Sequence, residues 1–257
     1  MTRRSLLLTP TLLAAQVKPF QWPNGKRAAV SLSFDDARLS QIDVGTAFLN
    51  KHNVKATFYV LSSSYTKRLE GWKAALAAGH EIANHSKTHA CSGNFAFSRN
   101  KAVEEFTLNR MAEDIDAASA EIQSTFGVKP TSFAYPCGQK YVGRGAATQS
   151  YVPLIAKRFA TGRGYMDEAS NDPTICDLAN LMGTNSDNLT FAQMKAYVDT
   201  AIKEGRWLIL AGHEMGNDNR SQMTNLDALG ELISYSKANP VWLDTVHNIG
   251  QYVGKNR

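Results

Sequence analysis

The chain lacks an excess of either charge large enough to define a partner: 28 Lys and Arg stand against 23 Asp and Glu, a formal +5 over 257 residues. Two of the cations, Arg3 and Arg4, fall in a leader-like start, and without them the balance is +3. Nucleic-acid binding, which relies on clustered positive charge, is therefore not indicated. Cysteine is scarce. Cys91, Cys137 and Cys176 are well separated and form no C-x-x-C pair, which argues against a thiolate zinc site and a disulfide-built scaffold. A bridge between two of them leaves the third thiol free, and the sequence does not choose the pair. Internal repeats, low-complexity runs and Pro/Gly/Ser-rich linkers are missing too, so two tethered domains are not expected. What remains is ordinary globular composition, 43% hydrophobic and 20% charged, enough for one large core.

The start, Met1-Thr-Arg-Arg-Ser-Leu-Leu-Leu-Thr-Pro-Thr-Leu-Leu-Ala-Ala-Gln16, joins a basic front to a short apolar run and a small-residue end. This is signal-peptide grammar over 1–15, with Arg3-Arg4 also fitting twin-arginine export. The run is too short to cross a bilayer, so no stable membrane span is expected. Residues 16–257 are then expected to form a single domain, exported to the periplasm or the cell exterior.

From Arg27 onward short β-rich runs alternate with helical patterns. Strands are expected over 28–34, 55–60, 80–84, 131–134, 158–161, 207–211 and 241–244. Helices are expected over 39–52, up to about 78, and through Val103, Phe106, Met111, Ile115, Ala118 and Ile122 to Gly127. Repeated βα units imply an α/β fold with a parallel sheet and right-handed crossovers. Polar residues gather just beyond the strands: Asp35-Asp36 after the first, His85 and His89 after the third, Tyr135-Pro-Cys-Gly138 after the fourth, Arg163 after the fifth and His213 after 207–211. In parallel α/β folds those strand ends converge on one site.

Asp36, His85 and His89 make a carboxylate–imidazole–imidazole set that suits zinc or another divalent metal, cobalt and nickel being the alternatives. The His85-Ser-Lys-Thr-His89 spacing brings both rings to one side if the segment is a helical turn. Adjacent aspartates leaving an apolar strand point in different directions, so one can bind metal while the other faces the attacking water. His213, within Gly212-His213-Glu214-Met215-Gly216, offers a second proton-transfer group near neutral pH.

Together, Ser33-Phe34-Asp35-Asp36-Ala37, His85-Ser-Lys-Thr-His89, Phe133-Ala-Tyr-Pro-Cys-Gly138 and Leu208-Ile-Leu-Ala-Gly-His213 resemble, in order and spacing, the motifs of the NodB-type polysaccharide deacetylases, carbohydrate esterase family 4. The resemblance covers about 28–253. It implies a deformed, incomplete (β/α) barrel of about seven parallel strands. It also implies Asp35 as general base, Asp36, His85 and His89 as metal ligands, and His213 as general acid, with the backbone N–H of Cys137 at the oxyanion. The substrate it implies is an acetylated oligo- or polysaccharide: an N-acetylated glycan such as peptidoglycan or chitin fragments, or an O-acetylated one such as xylan. Two readings compete: an inactive glycan-binding relative, and a metal-dependent amidohydrolase acting on a small non-peptide C–N bond.

This chain departs from the family pattern twice. The arginine that pairs with the base in the third motif is replaced by Ala134; Arg163, between two glycines, is expected to reach Asp35 instead, with Arg144 as the weaker candidate. No Asp-x-x-Asp-Trp run is present, leaving Asp172 or Asp177 to orient His213. Tyr135, Tyr141, Tyr165 and Trp242 are candidate sugar-stacking aromatics.

Overall fold

A computed structural model describes residues 20–218 and 220–257; the signal-peptide expectation for 1–15 lies outside them. The main sheet contains β1 (Ala28–Asp35), β2 (Thr57–Val60), β3 (Glu81–Asn84), β4 (Ser132–Ala134), β5 (Thr161–Arg163), β6 (Thr184–Asn185), β7 (Trp207–Gly212) and β8 (Val241–Leu243). Seven of them form one parallel path in the order β5-β4-β3-β2-β1-β7-β6. β8 runs parallel beside the first half of β1, Ala28 to Val30, and β2 takes over that edge from Ser33.

Alternation along the strands separates core from site. In β1, Val30, Leu32 and Phe34 join the apolar layer under the helices with Phe58, Trp72, Met194, Val198, Leu208 and Leu232. The other parity of β1, Ser31, Ser33 and Asp35, faces the opposite side of the sheet, as a period of two requires. There Ser31 Oγ accepts the Trp207 indole N–H at 3.1 Å and Ser33 Oγ donates to the Leu210 carbonyl at 2.8 Å. Asp35 thus enters the curled interior as the last residue of a fully buried strand.

The curl closes through a narrow strip. Leu181 donates to Gly162 and accepts from Gly164, both at 2.7 Å, and four residues on, Asn185 pairs with Ala211 of β7. The observed curl is the incomplete barrel that the family resemblance implied, and among the described residues no helix is long and apolar enough to cross a membrane.

Three local expectations change. The strand expected over 158–161 begins at Thr161: Arg158 instead ends the helix Val152–Arg158 and pairs with Asp116 at 2.7 Å. Strand β6 has no counterpart in the sequence reading. The segment 85–89 is no helical turn, since Ser86 and His89 have φ of 63° and 50°.

Candidate active site

The carboxyl ends of β1, β3, β4, β5 and β7 open on a cavity of about 530 Å³ lined by Asp35, Asp36, His85, His89, Cys137 and His213 among others. Its floor is an ion pair. Arg163 is fully buried, and its guanidinium bonds both oxygens of Asp35, reaching Oδ2 at 3.1 Å from Nη1 while Nη2 holds Oδ1. Nη1 also donates to the Gly164 carbonyl at 3.0 Å, and the guanidinium lies 4.7 Å from the Tyr59 ring centre. Burial would push the Asp35 carboxyl up, but the Arg163 charge reverses this and holds it below the ordinary carboxylate range. Arg144 is elsewhere, paired with Glu105 on the surface.

Such burial revises what an Arg163 substitution does. Arg163→Ala strips a buried carboxylate of its partner, a change that typically destabilises by about 3–5 kcal/mol, so the clean test is Arg163→Lys. That variant keeps a charge but loses the fork that fixes both oxygens. Its turnover should fall about 10- to 100-fold, as typical for losing an outer partner of a catalytic group. Wild-type kcat in Arg163→Lys would show that the fork is not needed.

Past Asp35 the chain leaves the strand sharply, Asp36 and Ala37 taking φ of 74° and 52°. The Asp36 side chain consequently turns away from Asp35, towards the two histidines. Its Oδ1 lies 3.5 Å from His85 Nε2 and 3.4 Å from His89 Nε2, while Oδ2 accepts from Arg38 at 2.8 Å. Ligand atoms of Asp36, His85 and His89 all fall within 4.8 Å of one another, and Oδ1 is buried with no hydrogen-bond partner. An orphaned buried carboxylate oxygen facing two imidazoles is a donor set that fits a divalent cation. The protonation states agree. His85 Nδ1 lies 2.9 Å from the Ala134 carbonyl, a bond that needs N–H there and turns Nε2 toward Asp36. Burial pulls the His89 ring down to about 4, so it is neutral at pH 7. Whenever either ring does take up a proton, its charge outweighs the burial that opposes the Asp36 carboxylate, which is then held below the ordinary carboxylate range.

The turn carrying the histidines is held from outside the pocket by the helix Leu108–Phe126. Asp114 accepts the backbone N–H groups of Lys87 and Thr88 at 3.0 and 3.3 Å, and Asn84 binds the Ile115 carbonyl at 3.1 Å while accepting from Ser86 at 2.6 Å. Without Asp114 two donors lose their partner in a turn that already contains two left-handed residues. Asp114→Ala should weaken metal binding about 10- to 100-fold, with Asp114→Asn largely restoring it because an amide oxygen can still accept. Metal titration checks this, and equal affinity in wild type and Asp114→Ala would remove Asp114 from the site.

His213 follows β7. Its Nδ1 lies 2.6 Å from Asp187 Oδ2, and its backbone N–H donates to Asp187 Oδ1 at 2.9 Å. Thr224 donates to Asp187 at 3.3 Å, and the Tyr165 hydroxyl donates to Asn185 at 3.0 Å and to Asp187 at 3.4 Å. The Tyr165 ring meets the imidazole edge-on at 5.2 Å. Gly212 makes this crossing possible, since a Cβ there would lie 2.3 Å from Thr224 Oγ1 and 3.0 Å from Asp187 Oδ1. Burial opposes the imidazolium, but the Asp187 hydrogen bond and the charges of Asp35 and Asp187 prevail, raising the His213 pKa. Gln41, buried on the turn after β1, donates to the carbonyls of Asp35 and His213 at 2.7 and 2.8 Å and so ties the two strand ends together.

Several sequence expectations are corrected here. Asp187 partners His213, whereas Asp172 caps a turn through Thr174 and Asp177 caps Leu178–Asn180. Tyr135 is not a substrate contact: it is fully buried, packs against Phe133 and Tyr151, and donates to the Ala179 carbonyl. Trp242 meets Trp22 and Tyr252 edge-on in a separate core cluster, and Tyr141 projects from the small pair Tyr141–Val142 and Gln149–Ser150 into a different hollow. Of the four aromatics Tyr165 lines the cavity, joined by the unforeseen Phe95 and Phe97. Cys137 also lines it, bonded to Cys91, so Cys176 is the free thiol.

A curled parallel barrel thus brings to one cavity a buried carboxylate clamped by arginine, a carboxylate–imidazole cluster and a carboxylate-oriented histidine. The chain belongs to the polysaccharide deacetylase family, whose profile matches residues 23–150. It is 34% identical over 90 residues to YlxY of Bacillus subtilis and 38% identical over 79 residues to the peptidoglycan-N-acetylglucosamine deacetylase PgdA of Listeria monocytogenes. Those matches cover 35% and 30% of this chain, and only 25% and 17% of the two relatives. A polysaccharide deacetylase structure from Mycobacterium smegmatis aligns over 94% of this chain and 95% of that one, with a TM-score of 0.67 and 17% identity. A family 4 acetyl xylan esterase from Clostridium thermocellum, in complex with cobalt, aligns over 87% and 91% with a TM-score of 0.58 and 18% identity.

Proposed function

We propose that this chain hydrolyses acetyl groups from an acetylated carbohydrate, and that it does so outside the cytoplasm. The observation that carries the reading is the meeting, in one cavity, of a buried base clamped by Arg163, a three-residue metal set and a histidine held by Asp187. A divalent metal held by Asp36, His85 and His89, zinc foremost, supplies Lewis-acid polarisation of the acetyl carbonyl. Asp35 accepts the proton of the attacking water, its oxygens fixed by Arg163 so that a lone pair faces the cavity. The backbone N–H of Cys137 donates to the carbonyl oxygen as charge builds on it. His213 then passes its proton to the departing nitrogen or oxygen, and Asp187 stabilises the charged ring until it does. The names of the matched relatives favour an N-acetylated glycan such as peptidoglycan, or an O-acetylated xylan.

The test is acetate release over a panel of N- and O-acetylated glycans, before and after chelation and with metal restored. Metal-dependent release from at least one glycan supports the reading and ranks the substrates. Unimpaired release from chelated protein, or hydrolysis confined to small cyclic amides, would overturn it.

A further inference from the structure

One covalent feature sits in the cavity wall without a part in the chemistry above. The Cys91–Cys137 bridge joins the segment after His89 to the turn after β4. Its two residues differ in exposure: Cys91 is fully buried, whereas Cys137 is half-buried and lines the cavity. Their surroundings differ as well. Cys91 Sγ lies 3.7 Å from His89 Nδ1, the ring nitrogen turned away from Asp36. Cys137 adopts φ 53° and is followed by Gly138, packed so tightly that a Cβ there would lie 2.8 Å from the Tyr165 carbonyl oxygen. The turn is thus pinned between Tyr165 and the bridge, with Cys137 on its cavity side.

We propose that Cys137 is a thiol-exchange site whose modification by a small thiol fills the catalytic cavity. An incoming thiolate attacks Cys137 Sγ in line with the S–S bond, and that bond breaks as the new one forms. The electron pair departs on Cys91 Sγ, where His89 Nδ1–H can hydrogen-bond it before it takes a proton from solvent. One thiol and one protein disulfide become one mixed disulfide on Cys137 and one thiol on Cys91, with no other oxidant or reductant consumed. Attack at Cys91 is disfavoured because the incoming sulfur would have to cross the packed interior. The site is independent of the acetyl-hydrolysis reading, but the loss of activity rests on it.

The experiment uses the metal-loaded Cys176→Ala protein, in which this pair supplies all the cysteine sulfur. It is exposed to cysteamine or glutathione, quenched with acid, and mapped by peptide mass spectrometry beside an acetate-release assay. The expected result is an adduct on Cys137 and not on Cys91. Turnover should fall at least tenfold with glutathione and less with the smaller cysteamine, and should return after reduction and reoxidation. A merely structural bridge would lose activity to the same extent with either thiol. An adduct on Cys91, no adduct under conditions that open an exposed reference disulfide, or a glutathione adduct with full turnover would each overturn the proposal. In Cys91→Ser, methanethiosulfonate reagents of graded size should reproduce the size dependence at the freed Cys137. Failure of the deacetylase reading would appear separately, as no acetate release before any thiol is added, and the adduct map would still decide the site.

Discussion

Asp35→Asn should retain metal at wild-type stoichiometry and lose about 10²- to 10⁴-fold in turnover, the range that general-base catalysis contributes. The two neighbouring carboxylates have different partners, and so should fail differently. Both Asp35 oxygens are committed to Arg163, and an amide there would turn one donor against another at the guanidinium as well as losing the proton acceptor. Asp36 instead presents an unpartnered Oδ1 to His85 and His89. Asp36→Ala should therefore lose the metal itself, and activity with it. Metal analysis beside turnover separates the two, and an Asp35→Asn enzyme as active as wild type would mean that the water is deprotonated elsewhere.

Asp187→Asn should cost comparably, about 10²-fold or more, and should also move the pH profile. The His213 backbone N–H requires an acceptor at the position of Oδ1, so the amide oxygen settles there and its NH₂ faces Nδ1. That arrangement forces the ring to keep its proton on Nε2 and opposes the doubly protonated form. A general acid is useful only below its pKa, and in the wild type Asp187 and Asp35 raise that limit against the opposing effect of burial. Without the Asp187 charge the alkaline limb should shift to lower pH. Turnover measured across the alkaline range at saturating metal checks this. An unchanged alkaline limb would mean that His213 is not the acid.

The clustering of Asp36, His85 and His89 was legible because these residues lie in short, distinctive segments at the ends of strong strands. Arg163 was legible by the same strand-end logic, with glycines on either side. What the sequence hid depends on distance in the chain or on weak periodicity. Asp187 follows a strand of two residues, Thr184–Asn185, too short to carry any alternation. Asp114 reads as a polar position on an amphipathic helix until the fold lays that helix against the 85–89 turn. Tyr135 escapes sequence logic because a residue just past a strand can face either way, and here the Ala179 carbonyl draws its hydroxyl into the core. The histidine turn looked helical because i, i+4 spacing cannot distinguish a helix from a loop whose left-handed residues are held by Asn84 and Asp114.

The strip that closes the barrel runs from Leu181, bonded to β5, to Asn185, paired with β7. Two residues beyond it stands Asp187, so a strip joined by only a few ladder bonds also holds His213. The seam should therefore behave as a thermal fuse. Local opening there has little sheet pairing to break, and it would release Asp187 from His213 while β1 to β4 remain intact. Activity should accordingly disappear a few degrees below the loss of far-ultraviolet ellipticity, and recover on cooling. Coincident inactivation and melting would instead show the strip to be as firmly joined as the strands it bridges.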